Sequence, residues 1–218
     1  AVDVAMAITF PRTSMMEKMY VKSASFFPIY LQSFSGTQAG QIIVKDLGPE
    51  LWSCKIESDD ILHAKALKAQ ASINSLRGSL DTFYVWNPIA AGPQADLDGA
   101  VLGASLVRIK SLNANNRALS LTGLPNGYQL TEGDFLAFDY GTGPSRALHQ
   151  VLEDTTANSS GYTVEFEVFP NIRPGAALLT TVTLIKPAAV MRMVPGSVSI
   201  ASSDVLRSRI SFEAIQVL

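Results

Sequence analysis

The sequence predicts a mainly β protein that contains one α-helix. Short segments rich in β-branched and aromatic residues recur from residue 104 to 185, at a spacing of about ten residues. Turn-forming clusters such as NANNR (113–117) and ANSSG (157–161) separate these segments. One stretch, residues 61–80, instead repeats its apolar residues at helical spacing. These observations predict a first region of strands around one helix, followed by a small β-barrel or sandwich.

The helix is predicted at about residues 59–77. A 4-3-4-3-4 spacing places six apolar side chains on one face: Leu62, Ala66, Ala69, Ile73, Leu76 and Leu80. Ser58, Asp59 or Asp60 is expected to cap the start, where free backbone N–H groups favour an oxygen acceptor. Arg77 and Gly78 fit the end, because a cation suits the last turn and glycine tolerates a left-handed cap.

Strands are expected on both sides of this helix. Segments 27–34 and 41–45 precede it, and TFYVW (82–86) follows it and stops at a proline. In YTVEFEVF (162–169) every second residue is apolar, the period of a strand with one buried face. The last segment repeats this alternation with Ile210, Phe212 and Ala214.

Composition indicates a buried core and is compatible with assembly with other chains. Of 218 residues, 47% are hydrophobic and only 17% are charged, with a mean hydropathy of +0.20. The net charge is −2 and no basic stripe is visible, so we expect no specific nucleic-acid recognition. The single cysteine, Cys54, forms no internal disulfide. With neither a signal peptide nor a membrane span in the sequence, we expect no membrane insertion and folding in the cytoplasm.

Asp134 in LTEGDFLAF (130–138) is the first candidate for a catalytic carboxylate. Gly133 permits a positive φ, however, and Asp134 can bond the turn backbone before a strand begins. The sequence therefore favours a turn and strand entry. The two histidines are weak candidates for a general base, because His63 falls on the polar side of the helix and His149 is expected as an outward or rim residue of a strand.

Other chemical motifs are incomplete. One cysteine and two distant histidines do not make a zinc site. The acid pairs 59–60 and 153–154 are interpreted as a helix cap and a strand-end turn, DLDG (96–99) lacks the later glutamate of a calcium loop, and GTGP (141–144) lacks the residues of a phosphate loop. The sequence thus predicts no catalytic, cofactor-binding or metal-binding residue and no cofactor, which favours a non-enzymatic protein.

The large aromatic residues leave one binding role open. Trp52, Tyr84 and Trp86 could form a surface on which sugars stack. Such residues more often anchor a core or an oligomer interface. On residues alone, the chain is interpreted as a mostly β assembly or binding protein.

Two stretches resemble the distal tail proteins of long-tailed, siphovirus-like bacteriophages and gene transfer agents. In residues 52–88 the resemblance lies in an acidic pair, an Ala-rich helix, a Leu-Arg-Gly end and a TFY strand ending in proline: Asp59-Asp60, Leu76-Arg77-Gly78, Thr82-Phe83-Tyr84 and Pro88. In residues 123–175 it lies in a GLP and GD entry, an R-x-LHQV strand and a P-x-x-R exit: Gly123-Leu124-Pro125, Gly133-Asp134, Arg146 to Val151, Gly161 and Pro170 to Arg173. The closing SFEAIQVL is similar to the last strand of that family.

The resemblance implies a β-sandwich belt domain with one packed helix and a smaller second β domain, β-barrel or OB-like, or galectin-like. We expect residues 1–102 with 186–218 to form the belt, and 103–185 to form the second domain. Such proteins form a hexameric ring in the virion at the tail tip. The ring joins the tail tube protein to the hub or baseplate and receptor-binding parts, and DNA passes through its lumen.

Two other functions stay open at this point. A carbohydrate-binding accessory module of the tail tip predicts an exposed Trp/Tyr platform with polar neighbours. A hydrolase predicts loss of function when His149 or Asp134 is replaced. A tail-tube or minor tail protein is a close variant of the ring-forming interpretation, and the helix between strands does not separate the two.

Overall fold

The computed structural model describes residues 8–38, 40–141, 145–202 and 204–218. Strands make up 43% and helices 9%, so the predicted mainly β class with one α-helix is confirmed. The helical elements are α1 (His63–Asn74) and two short 3-10 helices, Met16–Lys18 and Pro88–Ala90. The strands of the first half are β1 (Val21–Ile29), β2 (Gln32–Gly36), β3 (Ile42–Asp46), β4 (Leu51–Ser58), β5 (Ile61–Leu62), β6 (Phe83–Trp86), β7 (Arg108–Leu112) and β8 (Ala118–Thr122). Those of the second half are β9 (Gln129–Leu130), β10 (Phe135–Tyr140), β11 (Ser145–Val151), β12 (Thr155–Thr156), β13 (Phe166–Phe169), β14 (Val182–Thr183), β15 (Ala188–Met193), β16 (Ser199–Ser202) and β17 (Arg207–Gln216).

The chain folds into two compact units. Among the described residues, the first unit contains 8–25, 54–85 and 190–217 without residue 203. The second unit contains 26–53 without residue 39 and 86–189 without residues 142–144. This division differs from the predicted domains 1–102 with 186–218 and 103–185, because residues 26–53, 86–102 and 186–189 group with the second unit. Asp96 accepts hydrogen bonds from the backbone N–H of Leu102 and the hydroxyl of Tyr128, which holds that segment on the barrel. Residues 1–7 of the predicted belt domain, and residues 142–144 of GTGP, lie outside the described residues.

The first unit is built on a seven-stranded sheet. Its order is β1-β4-β17-β15-β6, and β5 and β16 also pair with β17. The alternation predicted for the last segment is confirmed, since Ile210, Phe212 and Ala214 of β17 are buried. The ring of Phe212 packs edge-on against Phe83, with centroids 5.8 Å apart.

Helix α1 begins later than predicted and has no side-chain cap. It starts at His63 because residues 61–62 are extended and pair with β17 as β5. The expected capping residues act elsewhere: Ser58 Oγ accepts the N–H of Ile210, Asp59 accepts the N–H of Asp60, and Asp60 binds Arg209. The capping prediction is therefore wrong.

The inner face of the helix is confirmed only in part. Four of the six predicted apolar residues are buried, Ala66, Ala69, Ile73 and Leu76, whereas Leu62 and Leu80 are exposed. The helix ends at Asn74, before the predicted end, and Arg77 and Gly78 beyond it both have a positive φ. Arg77 Nε lies 2.8 Å from the Asp81 carboxylate, so the cation closes this turn and does not cap the helix.

The second unit contains a closed barrel. A six-stranded sheet has the order β14-β10-β11-β13-β8-β7. Its ends meet where Val182 N–H donates to the Val107 carbonyl at 2.9 Å and Ile109 N–H donates to the Thr180 carbonyl at 3.0 Å. Side chains from all sides fill the interior, among them Ile109, Leu121, Leu136, Phe138, Val151, Phe166 and Val182.

One predicted strand of this unit keeps its alternation of buried and exposed residues only in its second half. In residues 162–169, Phe166 and Val168 are buried as expected, but Tyr162 and Val164 are exposed and Thr163 is buried. The Thr163 hydroxyl accepts the N–H of Leu121 at 2.9 Å. This bond turns the threonine inward, so the strand proper is only Phe166–Phe169.

Candidate interaction surface

The most unusual surface of the second unit is the hairpin formed by β2 and β3. Its register is continuous from Gln32 opposite Asp46 to Gly36 opposite Ile42. The backbone N–H of Gln41 donates to the Thr37 hydroxyl and closes the turn. At the other end of the hairpin, the Gln32 side-chain amide donates to the Asp46 carboxylate at 2.6 Å. Within the described part of the chain, the two strands pair only with each other. All ten of their residues are exposed.

One face of this hairpin is apolar. Opposed residues of an antiparallel pair point to the same side, so Phe34, Val44 and Ile42 share a face. Their exposed fractions are 79%, 56% and 72%. The other face consists of Ser33, Ser35, Ile43 and Lys45. A two-stranded hairpin is marginally stable alone in water, and covering each such side chain contributes about 2 kcal/mol. We call Phe34, Ile42 and Val44 the hairpin face.

The base of the hairpin is anchored in the second unit. Leu47 N–H donates to the Leu31 carbonyl at 2.7 Å, and the Tyr30 ring lies 5.9 Å from that of Phe169. The sequence indicated strands at 27–34 and 41–45, but it did not reveal that the strands following this anchor extend from the core. The available signal was a continuous apolar run, Ile42-Ile43-Val44, beside a polar turn in a segment with few other charges.

Asp134 has the turn role that the sequence favoured. Its carboxylate accepts the N–H groups of Gln94 and Thr131 at 2.9 and 2.8 Å, and β10 begins at the next residue. Gly133 has a φ of 97°, as the turn requires. The prediction of a turn and strand entry is confirmed.

His149 lies inside the barrel, so the prediction of an outward or rim position is wrong. It is 2% exposed, its ring stacks on Phe138 at 5.1 Å, and its Nδ1 lies 2.7 Å from the Pro170 carbonyl oxygen. His149 shares the inner face of β11 with Ala147 and Val151, which belong to the barrel core, and the local sequence does not show which face of the strand points inward. Burial lowers the pKa of His149 to about 4 and nearby Arg173 adds to this, although the bond to Pro170 opposes it.

His63 stands at the start of α1, where it holds the turn between β16 and β17. Its Nδ1 lies 2.7 Å from Ser208 Oγ and its Nε2 lies 2.9 Å from the Val205 carbonyl oxygen. Both ring nitrogens therefore have structural partners within the first unit.

The remaining polar candidates also bind the fold itself. Asp96 of DLDG accepts the N–H groups of Val101 and Leu102. Its burial raises its pKa, but these bonds and that from Tyr128 outweigh this effect and lower it. In the pair 153–154, Glu153 and Asp154 accept the N–H groups of Glu167 and Glu132, as a strand-end turn requires.

Trp52 anchors the second unit. It is 2% exposed, donates its indole N–H to the Leu148 carbonyl at 2.8 Å, and packs against the rings of Phe26, Phe135 and Phe169. Trp86 is half-buried, with the Lys186 ammonium 5.4 Å from its ring centre. Trp52 thus belongs to the core and does not contribute to a sugar-stacking platform.

Cys54 is wholly buried in the first unit. Burial raises the pKa of its thiol to about 12, Glu213 adds to this, and a backbone bond with Ala214 opposes it. Across the described ranges, no three His, Cys, Asp or Glu side chains come close enough together to hold a metal ion. None of the helices in the part that the structure describes has the length and apolar character needed to cross a membrane.

Comparison with known proteins adds no relative. No family model matches the chain, and a search of curated proteins finds no match either.

Proposed function

We propose that this chain is a non-enzymatic structural subunit that assembles with copies of itself into a ring. The hairpin face is the observation that carries this proposal. Three large apolar side chains lie exposed on a two-stranded sheet that pairs with no other described strand. A contiguous apolar surface of this kind is typical of a protein–protein interface.

The place of the ring follows from the resemblance to distal tail proteins. In this proposal a hexameric ring at the tip of a phage tail joins the tail tube to the hub and receptor-binding parts. The ring has a scaffolding role, and DNA passes through its lumen. The structural roles of Asp134, His63 and His149 support a protein whose polar groups stabilise the fold.

Mass photometry with negative-stain imaging tests this proposal. We expect the purified chain to form closed rings, hexameric by resemblance, and the Phe34→Ser/Val44→Ser variant to stay monomeric, because the hairpin face no longer drives association. Val164→Ser is the matched control, since Val164 is similarly exposed in the same unit but lies outside the hairpin. A chain that stays monomeric at every concentration would contradict the proposal.

A further inference from the structure

Besides the two-residue β5, the sheet of the first unit has three outer strands among the described residues, and two of them are protected against pairing. The outer side of β6 is covered, because Tyr84 N–H donates to the Arg12 carbonyl and Arg12 N–H donates to the Thr82 carbonyl, both at 3.0 Å. Strand β1 carries Lys22 and Pro28. Charges and proline are the usual devices that prevent an edge strand from pairing with another chain.

The third outer strand, β16, lacks such protection. Its sequence, SIAS, contains neither a charge nor a proline, and all four residues are exposed. Its register with β17 runs without a bulge from Ser199 opposite Ser211 to Ser202 opposite Ser208. Within the described residues β16 pairs only with β17, so its other side offers backbone N–H and C=O groups to a further strand.

Given the proposed function, on which this inference rests, we propose that β3 of one copy adds to the β16 edge of the next copy. Backbone hydrogen bonds would then join the two sheets edge to edge. The two surfaces are unlike, so the contact is head-to-tail. A contact of this kind forms a ring when its rotation closes and a filament when it does not, whereas pairing of two hairpins about a two-fold axis stops at a dimer.

Charge complementarity gives this contact a direction. Lys45 is exposed near the end of β3, and Asp204 is exposed just beyond the end of β16. A parallel alignment that sets Ile42 beside Ser199 sets Val44 beside Ala201 and brings Lys45 to the Asp204 end. An antiparallel alignment would separate the two charges.

Site-directed cross-linking tests the contact. Two differently tagged variants, Val44→Cys and Ala201→Cys, are co-expressed and treated with a short bis-maleimide. Both variants also contain the native Cys54, which is fully buried and sets the background level of cross-linking. We expect a covalent dimer that carries both tags, and no more than background dimer when either variant is expressed alone.

The possible results separate this inference from the proposed function. Rings without the 44–201 cross-link would overturn the inference while leaving ring formation intact. A dimer of Val44→Cys with itself would also overturn it, because hairpins would then pair with hairpins. If the parent chain forms only monomers, both the proposed ring and this contact are contradicted.

Charge reversal tests the direction of the contact. Lys45→Glu should weaken self-association about threefold to tenfold per contact, and Lys45→Glu/Asp204→Lys should restore it. Lys68→Glu, which changes an exposed charge on α1, is the control and should leave association unchanged. Lack of rescue by the double variant would overturn the parallel alignment.

Discussion

Asp134 shows how a single carboxylate shapes the barrel of the second unit. It is 1% exposed and holds two backbone N–H groups, those of Gln94 and Thr131, at the turn that leads into β10. Gln94 lies far away in the sequence, so the same side chain also fixes the segment that precedes the barrel. A residue that satisfies two backbone donors in this way matters for folding even without any chemistry.

Replacement of this carboxylate should therefore destabilise the fold. Asp134→Ala leaves both donors without their acceptor, which should lower the free energy of unfolding by about 2–4 kcal/mol. Asp134→Asn keeps the shape and one acceptor oxygen, so we expect a smaller loss. Urea unfolding of both variants is the measurement, and equal stability of Asp134→Ala and the parent chain would refute the assigned role.

His149 should make stability depend on pH. Its pKa is about 4 in the folded chain and about 6.5 when unfolded, so below pH 6.5 the unfolded state takes up a proton that the folded state does not. The contribution of His149 to the free energy of unfolding is fully present above pH 6.5. It is lost as the pH drops towards 4, by about 3 kcal/mol in total.

The variant His149→Gln isolates this effect. Glutamine does not titrate, and its amide can donate to the Pro170 carbonyl that now lies beside Nδ1. We expect a flatter dependence of the unfolding free energy on pH between 6.5 and 4, measured by urea titrations at several pH values. An unchanged slope would show that other groups cause the pH dependence.

Helix α1 offers a test at its first residue. Leu62 occupies the N-cap position with an extended ψ of 141° and gives no side-chain bond to the helix. Leu62→Ser should stabilise the first unit by about 1 kcal/mol, because its hydroxyl can accept a free N–H of the first turn. Leu67→Ser, at an exposed position inside the helix, is the control and should not stabilise. Thermal unfolding compares the two variants, and equal effects would argue against capping.

The same helix shows what local pattern can predict. Ala66, Ala69, Ile73 and Leu76 were identified from spacing alone, because an inner face is set by the period of the helix. Its start was predicted too early, because pairing of residues 61–62 with β17 depends on a strand far away in the sequence. Thr163 is buried and Val164 is exposed, opposite to the prediction, for a similar reason. The Thr163 hydroxyl accepts a hydrogen bond from Leu121, a residue too far away in the sequence for a local pattern to indicate.

The candidate site was predicted least well. The role of Asp134 follows from a local turn and was foreseen, whereas the burial of His149 depends on closure of the whole barrel. The hairpin face was not recognised, because apolar strands are usually buried and the exposure of these strands is set by the tertiary arrangement. The two compact units also differ from the predicted domains around residue 102, where the bond between Asp96 and Tyr128 joins distant residues.

Assembly of whole chains should appear as a stability that depends on concentration. Ligands and subunits that bind only the folded state raise the unfolding temperature as their concentration rises. We expect the unfolding temperature of the parent chain to increase with protein concentration, and that of Phe34→Ser/Val44→Ser to stay constant. Differential scanning calorimetry over a wide concentration range measures this. A parent chain with a constant unfolding temperature would contradict assembly through the hairpin face.

The buried thiol of Cys54 has a practical consequence, because it and the two tryptophans are native reporters of different units. Cys54 lies in the first unit, and Trp52 and Trp86 both lie in the second. The thiol becomes reactive only when its surroundings open, so its labelling rate follows opening of the first unit. Indole fluorescence follows the second unit in the same unmutated chain. Coincidence of the two signals would show that the units open as one cooperative body, and separation would give the stability of each.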